Sequence, residues 1–125
     1  MEPTVIDETK PLFTQIAEKV EDSILNGTLP ELSRAPSTNE LASFYSINPA
    51  TAAKGVNILV DEGILYKRRG IGMFVAPGAR EKILAKRRSA FAQGHIAPLL
   101  AEARSLGITK EELLKMIEET GETTL

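Results

Sequence analysis

A chain of 125 residues, 42% apolar and 26% charged, is long enough for one ordinary globular core or for a small domain with an extension. It leaves no room for a separate ligand-binding domain of usual size, and its lack of cysteine excludes thiol catalysis, disulfides and thiolate metal sites, which fits a reducing cytosol. The net charge of −2 argues against a nucleic-acid partner, yet between Arg34 and Arg88 ten cations stand against four carboxylates, so a segment of +6 is flanked by ends that together carry −8.

Leu12, Ile16, Val20 and Ile24 recur at helical spacing and Gly27 is placed to close the helix, so a first helix is expected over about Pro11 to Asn26, roofing the helix pair that comes after it. Residues 28–35, which include Pro30, read as a loop. Ser37 and Glu40 then form a Ser-x-x-Glu capping box, in which the hydroxyl accepts from a first-turn N–H and the carboxylate reaches back to the cap N–H. A second helix therefore begins just after Ser37, turning Leu41, Ala42 and Phe44 or Tyr45 inward, and Ser46 follows as a polar turn residue. Asn48 is a preferred N-cap and Pro49 sits at the first helical position, where its missing N–H costs nothing. The third helix starts at Pro49, places Ala52, Val56, Leu59 and Val60 inward and ends at Gly63. Ala50, Thr51, Lys54 and Asn57 fall outside that apolar set.

After Gly63 the pattern changes to Ile64-Leu65-Tyr66-Lys67-Arg68-Arg69, a Gly70-Ile71-Gly72 turn, and Met73-Phe74-Val75. This is a β-hairpin with three consecutive cations leading into its tip. Two capped helices followed by a basic hairpin are the layout of a winged helix-turn-helix, which places one helix in a DNA groove and its wing against phosphate or a minor groove. A run such as Lys67-Arg68-Arg69 is by itself usually a solvated one; its position in a hairpin behind a capped helix pair is what points to DNA.

Pro77-Gly78 reads as a hinge, dividing the chain into a DNA-binding domain over residues 1–77 and a helical segment over 78–125. From Ala79 to about Leu106 the composition is helical, with Gly94 and Pro98 interrupting, and a proline inside a helix predicts a kink or break there. Thr109 and Glu112 form another capping box, opening a short final helix that is expected to end before Gly121. Ile83, Leu84, Phe91, Leu99, Leu100, Leu113, Leu114 and Ile117 are more apolar side chains than such helices can bury alone, so they are expected to form a homodimer interface. The fold class expected is thus mainly α with a small β-hairpin: a winged helix-turn-helix followed by a short C-terminal helical dimerisation segment.

The remaining features support no catalysis. The single His95 has no Cys or second His near it and reads as a structural or surface residue, Gly70 and Gly72 lack the strand-turn-helix context of a phosphate loop, and Glu111, Glu112, Glu118 and Glu119 read as a solvated helix face. No nucleophile with a base pattern is present, so no enzymatic activity, cofactor or metal is expected. Lys86-Arg87-Arg88 suits a solvated face and a phosphate contact equally well. No apolar run approaches the roughly 20 residues of a membrane span, and MEPTVIDETK is acidic without a signal-peptide core, so the expected location is cytoplasmic with no membrane partner.

Taken together, PLFTQIAEKVEDSILNG, APSTNELA, INPATAAKGVNILVDEGIL and RRGIGMF, spanning Pro11 to Val75, resemble the DNA-binding domain of the GntR family of bacterial transcription regulators, and INPAT and RRGIGMF its short-tailed YtrA-like branch. The resemblance implies a homodimeric transcription regulator, most simply a repressor, that binds an inverted-repeat operator in double-stranded DNA. It leaves any small-molecule effector unspecified. The residues assigned to DNA are Arg34, Ser37, Thr38, Asn39, Asn48, Ala50, Thr51, Lys54, Lys67, Arg68, Arg69 and Gly70. The chain departs from the family where Asn39 and Ala53 stand at positions that often hold Arg, which makes Lys54 the cation of the third helix. The alternative is a winged helix used as a protein-interaction module without specific DNA binding.

Overall fold

Helix starts in this chain are set by local chemistry, and each expected start is found. In the computed structural model, which describes residues 8–124, the elements run α1 (Leu12–Leu25), α2 (Thr38–Tyr45), α3 (Pro49–Asp61), β1 (Leu65–Arg68), β2 (Gly72–Val75), α4 (Ala79–Phe91), a π-helical segment (Ala92–Ile96), α5 (Ala97–Ser105) and α6 (Lys110–Thr124). The acidic opening residues 1–7 lie outside the described residues. Ser37 caps α2 by a complete capping box: the Glu40 N–H donates to Ser37 Oγ at 3.0 Å and the Ser37 N–H donates to Glu40 Oε1 at 2.9 Å. Asn48 caps α3 by accepting the Ala50 N–H at 2.8 Å. Thr109 and Glu112 repeat the box at α6, with the two bonds at 3.0 and 3.1 Å.

The chain divides into two compact units, one through Ala85 and one from Lys86 onward. In the first, α1 lays Ile16, Val20 and Ile24 against Ala52, Val56 and Leu59 of α3, with Leu41 and Ala42 of α2 and Leu65 and Val75 of the hairpin closing one core. α1 can approach α3 closely only because Gly55 has no side chain. A Cβ there would meet the Phe13 carbonyl oxygen at 2.7 Å and Ile16 Cβ at 3.2 Å. The chain leaves α2 through Ser46 in the left-handed region (φ 54°, ψ 50°), and the Ile47 N–H returns to the Ala42 carbonyl at 2.9 Å, turning the path toward α3. Of the two aromatic candidates at the end of α2, Tyr45 packs against the core and Phe44 is exposed.

The hairpin is antiparallel, pairing Leu65 with Val75, Tyr66 with Phe74, Lys67 with Met73 and Arg68 with Gly72. The segment expected as a plain loop contributes to it. The Ala35 N–H donates to the Met73 carbonyl at 2.8 Å, the Val75 N–H to the Ser33 carbonyl at 2.9 Å, and Arg34 bridges Phe74. The outer edge of β2 is thereby covered, which an exposed strand edge requires.

Three expectations are corrected and one is refined. Pro77-Gly78 is not the division between units: the Gly78 N–H is held by Glu31 Oε1 at 2.8 Å, and Ala79 and Ile83 of α4 are fully buried in the first core. Ile83 is for the same reason no interface residue, and Leu84 is half-buried. The interruption expected near Gly94 and Pro98 is present, and it is a widening of the helix rather than a break. The Ala97 N–H bonds to the Ala92 carbonyl five residues back, and such a π turn makes room where the proline ring would collide with a carbonyl. Finally, α6 runs through Gly121 to Thr124. In the second unit Ala103 and Leu113 are buried, whereas Phe91, Leu99, Leu100, Leu114 and Ile117 are exposed.

Candidate nucleic-acid interface

Three elements (α2, α3 and β1), the hairpin tip and the segment of Arg34 present the residues assigned to DNA. Ala50, Lys54 and Asn57 are exposed on α3 and Thr51 is half-buried, so the first two turns of α3 keep a polar, uncovered face opposite Ala52, Val56 and Leu59. Asn48 is exposed too, but its oxygen is committed to capping, so what it can offer a ligand is its NH2 group. Ser37 is committed to capping too: its oxygen accepts the Glu40 N–H and its side chain also hydrogen-bonds the Glu40 carboxyl. The Ser37 N–H donating to Glu40 Oε1, then the Ser37 side chain, with the Arg34 guanidinium as a smaller contributor, hold the exposed Glu40 carboxyl below its ordinary range, so Glu40 is an anion at neutral pH. Thr38 is half-buried, and Asn39 is exposed at the start of α2.

Strand alternation sorts the wing cations onto two faces. Lys67 shares a register position with Met73, whose face packs on the core, while Arg68 lies on the opposite face with Tyr66 and Phe74. The Tyr66 and Phe74 rings stack with centroids 5.8 Å apart, and the Arg68 guanidinium lies 5.2 Å from the Phe74 centroid. Arg69, Gly70 and Ile71 form the exposed tip, closed by the Ile71 N–H on the Arg68 carbonyl at 2.9 Å, with Gly70 at φ 76°. Arg34 joins this group through its bridge to Phe74. Its guanidinium passes over Gly72, where a Cβ would sit 3.3 Å from Nε. The fold thus brings Arg34, Arg68 and Arg69 to one end of the hairpin although 34 residues separate the first two in sequence.

Residue-by-residue reading missed the partner of Lys54. Its ammonium lies 4.0 Å from the centroid of the Phe13 ring of α1, a cation–π contact whose only sequence signal is an aromatic in the first turn of an amphipathic helix. Among the described residues no group of three or more His, Cys, Asp or Glu side chains is placed to hold a metal, and no helix is long and apolar enough to cross a membrane.

Residues 12–75, covering α1 through β2, match the profile described as bacterial regulatory proteins, gntR family. The chain belongs to the GntR family. Its members are transcription regulators rather than enzymes, and the winged helix-turn-helix is their DNA-binding part. The likeness extends past the wing. The chain is 27% identical over 109 residues, 87% of its length and 83% of the other's, to the HTH-type transcriptional repressor YtrA of Bacillus subtilis. A GntR-family transcriptional regulator from Bacteroides thetaiotaomicron is 32% identical with a TM-score of 0.78, covering 91% of this chain and 99% of that one. The structure of AraR(DBD) in complex with operator ORX1 matches 61% of this chain and 93% of its own, with 28% identity and a TM-score of 0.52.

Proposed function

We propose that this GntR-family regulator is a homodimeric repressor that reads an inverted-repeat operator, inserting α3 of each protomer into a major groove while the wing meets the flanking backbone or minor groove. The carrying observation is the pairing, within one compact unit, of a capped helix with an uncovered polar face and a hairpin tip that collects Arg34, Arg68 and Arg69. A single such unit has one groove-reading helix, and two-fold pairing sets a second half-site roughly one helical turn away, about 34 Å. The dimer is supported by the unit from Lys86 onward, where Phe91, Leu99, Leu100, Leu114 and Ile117 expose between 39% and 57% of their surface. Repression rests on the similarity to YtrA, named a repressor, and operator binding on the AraR(DBD) complex. DNA as the target also sets the cytoplasm as the place of action.

Selection of bound sequences from a random duplex library with the full-length protein tests this reading. Enrichment of an inverted repeat is expected, and enrichment of an unpaired half-site, or of nothing, overturns it. On the selected duplex Arg69→Ala should weaken binding and lower the slope of log affinity against log salt by about one unit, the signature of one lost phosphate contact. An unchanged slope for the Arg68→Ala, Arg69→Ala double variant removes the wing from the interface.

A further inference from the structure

α1 contributes no residue to the interface assigned above, yet it touches that interface at one place. Gly55, next to Lys54, carries no side chain because the Phe13 backbone and the Ile16 side chain fill that space, so α1 and α3 meet there at close range. The same approach brings the half-buried Phe13 ring beneath the exposed Lys54 ammonium, 4.0 Å from its centroid. Resting on the reading that α3 enters the major groove, we propose that Phe13 is a positioning residue for DNA specificity, its ring holding the Lys54 ammonium at a fixed place on α3 so that it selects guanine at one position of each half-site.

An unrestrained lysine on an exposed helix is a flexible point charge that pairs with any phosphate in reach, and such contacts carry no sequence information. A ring face removes that freedom by attracting the ammonium electrostatically. The ammonium has three N–H donors and can direct those turned away from the ring at DNA. In the major groove guanine offers two adjacent acceptors, O6 and N7, whereas adenine sets a donor beside its acceptor, cytosine offers a donor, and thymine offers one acceptor beside a methyl. A pinned pure donor therefore favours guanine. Phe13 acts through Lys54 and needs no DNA contact of its own.

The test uses the full-length protein, the duplex it selects from a random library, and variants of that duplex with each base pair of one half-site permuted. Lys54→Met should flatten the preference at one G·C pair, which locates the contact. Phe13→Leu should reduce the preference at that same pair by about two- to five-fold, the range expected for an exposed cation–π contact, and leave the salt slope unchanged. Phe13→Tyr should retain the preference, and adding Phe13→Leu to Lys54→Met should cause no further loss. In the DNA-free protein, the Lys54 side-chain methylene protons should be shifted upfield by the ring in the wild type and in Phe13→Tyr, and not in Phe13→Leu. Phe13→Met serves in place of Phe13→Leu should the latter fail to fold. A normal preference at the Lys54-dependent pair in the ring-deleted variant overturns the proposal, as does a uniform loss at every position that Phe13→Tyr does not rescue. Should Lys54→Met leave every base preference intact while Arg69→Ala still lowers the salt slope, the specificity role of Lys54 and Phe13 falls and DNA binding through the wing stands.

Discussion

The two compact units treat their apolar residues in opposite ways. Through Ala85, one set of large aliphatic side chains is buried, with Ile16, Leu59, Ile64, Val75 and Ile83 each 1% exposed or less, while Leu32 and Ile71 stay exposed in its loops. From Lys86 onward Ala103 and Leu113 are buried, but Phe91, Leu106, Leu114 and Ile117 are 57%, 67%, 50% and 48% exposed. Two short helices alone bury little of each other; further directions of cover are needed, which α1, α2 and the hairpin supply around α3 and which α5 and α6 lack within their own unit. The first unit should therefore owe its stability to its own chain, and the second to association.

The largest effect is expected from cutting into the first core. Leu59→Ala should destabilise that unit by about 2–5 kcal/mol, the usual cost of a buried leucine, and the thermal shift should not depend on protein concentration. A concentration-dependent shift would erase the distinction between the units. Next, Ile117→Ala should leave the first unit's unfolding unchanged but weaken association by about 1–2 kcal/mol, read as a roughly ten-fold higher dimer dissociation constant in sedimentation. A full-length chain that is monomeric at micromolar concentration would sink the comparison from the other side.

The two capping boxes sharpen it with smaller effects. Ser37→Ala and Thr109→Ala each remove one cap, worth about 1 kcal/mol. The first should lower the concentration-independent transition and the second the concentration-dependent one. The smallest effect is one of pH. Hydrogen bonds to Ser37 and to Thr109 hold Glu40 and Glu112 below the ordinary carboxyl value of 4.5. Because the folded value is the lower one, this stabilisation is present above the unfolded value and is lost as pH falls through the folded one. Acid titration of Glu40→Gln and Glu112→Gln should show that slope removed from one transition in each variant. A slope that persists in both assigns it to other carboxylates.

How much was legible in the sequence depends on the reach of each signal. Caps act over three residues, so Ser37, Asn48 and Thr109 announced three helix starts, and the change of period after Gly63 announced the hairpin. Long-range events left no such trace. Nothing in Ser33-Arg34-Ala35 says that it will cover the edge of β2, because one or two ladder bonds impose no periodicity. Periodicity shows that Ile83 lies on an apolar face but not which unit will own that face, and the first core took it. The cost of glycine in a helix, about 1 kcal/mol, predicts an end before Gly121, a local preference that α6 overrides. At the interface the helix and wing residues were legible as residue types in a known layout, whereas the Phe13 support for Lys54 depends on two helices crossing at Gly55.

The widened turn at Ala92–Ile96 also fixes the rotational phase of everything after it within its unit. A π turn accommodates one residue more than the α-helix would, so it behaves as an insertion absorbed without a loop. Replacing Pro98 by Ala so that the same residues form a plain α-helix, with none removed, would rotate Leu99 and Leu100 by about 100° relative to Phe91. The composition of the exposed stripe would be unchanged while its alignment around the helix axis was lost, so a change of a single residue here could redirect which partners the stripe accepts.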